Sequence, residues 1–137
     1  MKVSYISFDA ARTVSLKMVE ERDSPAAGEV LVECDYSAVS AGTETANLLG
    51  LPNTSGQFPW RPGYSSSGRV LRVGEGVADF EPGTRVLVPW AGHRSHFLRP
   101  APTLVKIPED VDQLDASFAH IASFPLLGVR KLRLEIG

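Results

Sequence analysis

Cysteine is almost missing from this chain of 137 residues: Cys34 stands alone, so no intrachain disulfide can form. An excess of one charge is missing too. Fourteen Lys and Arg face sixteen Asp and Glu, interspersed, for a net charge of −2, which leaves no basic face for nucleic acid. No apolar run approaches membrane-spanning length. The opening Met1-Lys2-Val3-Ser4-Tyr5-Ile6 alternates polar and apolar residues and turns polar at Asp9, without the apolar core of a secretory signal. Neither an internal repeat nor a low-complexity tract is present. What remains, 43% apolar and 22% charged residues, suits one soluble domain with one core, expected in the cytoplasm.

The pattern that is present is mostly β. Val3–Phe8 and Thr13–Val19 read as paired strands around Asp9-Ala10-Ala11-Arg12. Over Glu29–Val39, Val30, Val32 and Cys34 alternate with Leu31, Glu33 and Asp35, which predicts a strand. Gly42-Thr43-Glu44 opens a short helix through Leu49, with Thr43 as a candidate cap and Gly50 as its stop. Leu51–Arg61 is a loop carrying the exposed-looking Phe58 and Trp60. Gly68–Val73 and Thr84–Val88 are strands joined by Gly74-Glu75-Gly76 and Glu81-Pro82-Gly83, and Ala91–Leu98 and Leu104–Ile107 follow as further strands. From Asp112 onward the apolar spacing predicts a helix, kinked or split near Phe124 by Pro125. Many short strands with glycine and proline turns favour a small, partly open β-barrel over residues 1–111, with 112–137 as a helical connector.

The stretch Arg61–Pro89, with Pro62-Gly63-Tyr64 before its two valine-rich runs, resembles the GroES-like catalytic domain of the medium-chain dehydrogenase/reductase family. That family includes zinc alcohol dehydrogenases and quinone reductases. The resemblance implies a nicotinamide-dependent oxidoreductase acting on a small carbonyl or alcohol compound. It covers essentially the whole chain but about half of a typical member. The family's nucleotide-binding domain would begin near the last residues, yet nothing here reads as strand, Gly-x-Gly-x-x-Gly and helix. The chain is therefore expected to be one half of such an enzyme, inactive alone, with NAD or NADP held mainly by the other domain.

Matched to the family's zinc ligands, this chain offers Ala41, Tyr64 and a position at or beside His120. Catalytic zinc needs three protein ligands, and an alanine methyl donates nothing. The cysteine-rich lobe that would carry structural zinc is also missing after Val88. No metal is expected. Tyr64 then becomes the candidate hydrogen-bond donor to a developing oxyanion, with aromatic packing against Trp60 as the alternative. Thr43 matches the family's proton-relaying hydroxyl beside the cofactor ribose. His120 is a candidate proton donor or substrate contact, or else a helix-face histidine bonded to a carbonyl. Ser40, Glu44, Trp60 and Ser65 are candidate substrate contacts, and Ser123 matches a residue facing the nicotinamide. Glu44 could otherwise cap backbone amides or bind Arg61 or Arg94. His93 and His96 read as solvated or hydrogen-bonded surface histidines, and Cys34 as a small buried hydrophobe.

A non-catalytic GroES-like binding module is the competing expectation, although GroES itself lacks the Gly-Thr-Glu and Pro-Gly-Tyr runs found here. Leu126, Leu127, Leu132 and Ile136 are expected to be exposed, which would drive homo-oligomerisation or contact with a nucleotide-binding domain.

Overall fold

The computed structural model describes residues 1–132. Among these residues the chain is mainly sheet, with three α-helices. β1 (Lys2–Ala10) and β2 (Thr13–Glu20) form an antiparallel hairpin, and β3 (Glu29–Ser37), β4 (Ser65–Val73), β5 (Arg85–Pro89), β6 (His96–Pro100) and β7 (Val105–Lys106) form an open sheet in the order β6-β3-β4-β5-β7. Every pairing is antiparallel, and no closed barrel forms among the described residues. α1 (Ala41–Leu49) follows β3, while α2 (Gln113–Ser117) and α3 (Ala119–Leu132) follow the sheet.

The alternation along β3 decides the core. Val30 and Val32 face inward with Val70, Val86, Val88, Ala91, Phe97 and Leu104, and Cys34 packs at the margin of this cluster. Burying each valine contributes about 2 kcal/mol. Leu31 points to the other face and is buried as well, at 2% exposure, so β3 is covered on both sides. Gly68 on β4 lets the strands approach closely: a Cβ there would stand 2.1 Å from the Glu33 carbonyl oxygen. The Glu81–Thr84 turn forms as its residues dictate, with Pro82 leading, Gly83 at φ +90° and Thr84 N–H donating to Glu81 O at 3.0 Å.

The hairpin is stitched to two loops rather than to the sheet. Ile6 N–H donates to His93 O at 3.0 Å and Ser95 N–H to Ser4 O at 2.9 Å, while Phe8 and Trp60 exchange both backbone bonds at 2.8 Å. These pairings correct the strand expected over Ala91–Leu98. Trp90 turns into the left-handed region at φ +55°, residues 93–95 pair with β1 and β3, and the strand starts only at His96.

The helical region differs from expectation in the same way. The break falls at Phe118, not near Phe124, and α3 runs through Pro125. Asp112 caps α2 by accepting Leu114 N–H at 2.7 Å. Three buried bonds then fasten α2 to β4: Ser65 Oγ donates to Ser117 O, Ser67 Oγ to Gln113 O at 2.7 Å, and Gln113 Nε2 to Gly68 O at 2.8 Å. With the carbonyl of its last residue, Ser117, engaged by Ser65, α2 ends early. α3 buries none of its residues; Leu126, Leu127 and Leu132 are exposed, and Ile136 lies outside the described residues. Among the described residues no helix is long and apolar enough to cross a membrane.

Candidate substrate site

A cavity of about 490 Å³ opens where α1, the 58–64 loop, the end of β5 and α3 converge. Thr43, Trp60, Gly63, Tyr64, Trp90 and Phe124 line it. Its volume falls within the roughly 300–1,000 Å³ usual for small-molecule sites. Trp60 is delivered by its backbone bridge to Phe8, against whose ring it packs at 5.7 Å. Thr43 stands in the first turn of α1. Tyr64 precedes β4, and its ring meets Trp90 at 6.3 Å and His120 at 6.1 Å rather than Trp60. Phe58, half-buried, turns toward Gly50 instead and does not line this cavity.

Behind this wall lies a second feature that sequence reasoning missed. His93 is not a surface histidine: its side chain is 9% exposed, with Nε2 2.9 Å from Glu44 Oε2 and Nδ1 2.8 Å from Ser37 Oγ. The other carboxylate oxygen of Glu44 accepts Ser40 N–H at 3.0 Å. Glu44 therefore does cap a backbone amide, but neither arginine is its partner. Arg94 pairs with Glu21 at 2.7 Å, and Arg61 lies over the Tyr5 ring at 4.4 Å. The α1 N-cap is Ser40 and not Thr43, because the helix begins at Ala41, and the amide of Ser40 itself is met by Glu44. Gly50 ends α1 in the left-handed conformation, as its residue type implies.

The cavity and this polar cluster share Gly63. Its φ is +97°, and a Cβ built there would lie 2.6 Å from His93 N and 3.0 Å from His93 Cγ. Only glycine lets the imidazole sit directly beneath the cavity rim.

The remaining candidates sit around rather than in the cavity. Ser40 starts α1, and Ser65 spends its buried hydroxyl on Ser117 O. Ser123 Oγ donates to His120 O at 2.6 Å, within α3. His120 lies behind the aromatic wall, with its ring 4.7 Å from Trp90 and 5.3 Å from Phe124, both edge-on. Its Nε2 is buried and finds no hydrogen-bond partner among the described residues. Trp90 and Phe124 were not singled out as site residues from sequence. Their only signals were an aromatic after Pro89 and a second aromatic one turn after His120.

The residues in the three family seats do not suit zinc. Ala41 carries no donor atom, and Tyr64 and His120 bring only a phenol and one imidazole whose rings pack together. Among the described residues, no three His, Cys, Asp or Glu side chains gather as a metal-holding group. Cys34 has no role in this cavity, and burial pushes its thiol up to about 11.

Comparisons with known proteins place this geometry in a lineage. Residues 26–109 match the model of the alcohol dehydrogenase GroES-like domain. The chain is 32% identical over 91 residues to 2-desacetyl-2-hydroxyethyl bacteriochlorophyllide A dehydrogenase of Cereibacter sphaeroides, covering 65% of this chain and 28% of that protein. It is 32% identical over 111 residues to 2-haloacrylate reductase of a Burkholderia species, covering 77% and 32%. The fold superposes on the crystal structure of Escherichia coli quinone oxidoreductase complexed with NADPH with a TM-score of 0.71 and 22% identity, covering 97% of this chain and 42% of that one. The chain thus spans about a third of the length of the curated relatives it matches. With well over half of its residues matched, the chain belongs to the alcohol dehydrogenase GroES-like domain family of the medium-chain dehydrogenases and reductases.

Proposed function

We propose that this chain is the substrate-side half of a zinc-independent, NAD(P)-dependent oxidoreductase acting on a small carbonyl or alcohol compound. The observation that carries the reading is the aromatic-walled cavity holding Thr43 and Tyr64, with Tyr64 in the seat where zinc relatives keep a histidine. Relatives at 32% identity are a dehydrogenase and a reductase, and the superposed quinone oxidoreductase holds NADPH, which support the reaction class and the cofactor.

The dinucleotide, held mainly by residues beyond this chain, supplies hydride exchange. Tyr64 donates from its phenol to the substrate oxygen as negative charge develops there. Thr43 both accepts and donates, and so passes a proton at that oxygen. Trp60 excludes water. Glu44 and Ser40 fix the start of α1 and with it Thr43, Ser65 holds α2, and His120 braces the wall. Thr43 and Ser123 face the cofactor. The exposed apolar side of α3 is covered by the nucleotide-binding domain or by a second copy. The same exposed side favours a second reading, a non-catalytic module that docks on a partner; dinucleotide-dependent turnover would end it.

Tyr64→Phe, made in the chain together with its nucleotide-binding domain, should lower kcat/KM about 100-fold with the melting temperature unchanged. Unchanged turnover would remove Tyr64 from the mechanism.

A further inference from the structure

Four of the six residues lining the cavity are aromatic, and both tryptophans of the chain are among them. One of the two is unusual. Trp90 is 68% exposed although its indole is a large, mostly apolar surface to leave in water, and its backbone sits at φ +55°, a conformation rare for bulky residues. The chain holds it there firmly. Its N–H donates to Tyr64 O at 2.8 Å, and its carbonyl accepts Arg99 Nη2 at 2.8 Å. Its indole is braced edge-on by His120 at 4.7 Å and, in a tilted contact, by Phe124 at 6.3 Å. Strain retained at a fixed, exposed ring beside a cavity is the mark of a surface kept for a ligand. Hydrophobic burial does not account for it, because little of the indole is buried.

We propose that the cavity binds a planar, conjugated ring compound, with Trp90 as its stacking wall and His120 as the residue that positions Trp90. Four aromatic rings in the lining, those of Trp60, Tyr64, Trp90 and Phe124, favour a flat π-system over a puckered ring of equal bulk, since offset and edge-on contacts add to plain apolar burial. The imidazole suits the bracing position by shape. Its unpartnered Nε2 faces no ligand in this role, and its ring edges serve the contacts to Trp90 and Phe124. This assignment names the substrate class of the reaction proposed above and rests on it for calling the ligand a substrate; the binding itself does not depend on turnover.

Because both tryptophans line the cavity, intrinsic fluorescence of the full chain reports occupancy without any cofactor. 2-Naphthaldehyde should quench it saturably, and the fully saturated decalin carbaldehyde should displace that probe only at about tenfold higher concentration or more. Trp90→Leu keeps the apolar bulk and the backbone strain but should lose about tenfold in naphthaldehyde affinity, read from the remaining Trp60, whereas Trp90→Phe should stay within about threefold. Equal affinity of the saturated compound, or unchanged binding in Trp90→Leu, overturns the proposal. Displacement of naphthaldehyde by nicotinamide mononucleotide at lower concentration than by the saturated aldehyde also overturns it, by making the cavity the seat of the cofactor ring. Naphthaldehyde binding that persists while the chain joined to its nucleotide-binding domain shows no dinucleotide-dependent turnover would leave the stacking site standing and remove the reaction.

Discussion

Two histidines, His93 beside Gly63 and His120 beside the Tyr64 ring, show opposite uses of the same side chain. His93 engages both nitrogens in a buried polar cluster, bonded to Glu44 and Ser37. His120 leaves Nε2 buried without a partner among the described residues and uses its ring as an aromatic among Tyr64, Trp90 and Phe124. One is held by hydrogen bonds, the other by faces and edges. The polar cluster ties α1 to the loop beneath β1, so it fixes where Thr43 stands. The aromatic group sets the wall opposite. A cavity with hydroxyl chemistry on one side and flat apolar surface on the other follows from that division of labour.

One substitution made at both positions tests the contrast. His93→Phe leaves the Glu44 carboxylate and the Ser37 hydroxyl without their partner in a nearly closed space, and should cost about 3 kcal/mol in urea unfolding. A loss below about 1 kcal/mol would mean the cluster is wetter and weaker than its geometry implies. Gly63→Ala should come next, at about 2 kcal/mol, because the new methyl meets the His93 backbone and φ +97° strains any side chain. His120→Phe should be the smallest, within about 0.5 kcal/mol of the parent or more stable, since it removes an unpaired buried nitrogen and keeps the ring contacts. Marked destabilisation there would show that Nε2 has a partner, such as an ordered water, and would erase the distinction.

Much of the fold could be read from residue order because its causes are local. Alternation predicted β3, Gly50 ended α1, and Pro82-Gly83 made the turn before β5. The Pro-Gly-Tyr run and the valine strands pointed to the family that the match over residues 26–109 shows. What was not legible depends on partners far apart in the chain. Glu44 and His93 are separated by 49 positions, and Ser65 and Ser117 by 52, so neither spacing nor composition couples them. Glu44 seemed free to meet an arginine only because the imidazole above it could not be foreseen. Trp90 in a left-handed turn contradicts local preference, which is why a strand was expected to continue through it. The split at Phe118 was missed for a similar reason: proline is a visible breaker, whereas a serine hydroxyl arriving from β4 is not.

The serine run at the start of β4 has a consequence for the cavity's dimensions. Phe124 is borne by a helix that buries nothing of its own, and that helix hangs from α2, which three hydroxyl and amide bonds moor to β4. Phe118 is the pivot between them. A change in that mooring would carry Phe124 with α3 and loosen the brace on the Trp90 ring, while the Trp90 backbone stays clamped from both sides. The gauge of the opening is thus fixed some distance away, by polar atoms that never touch what enters it.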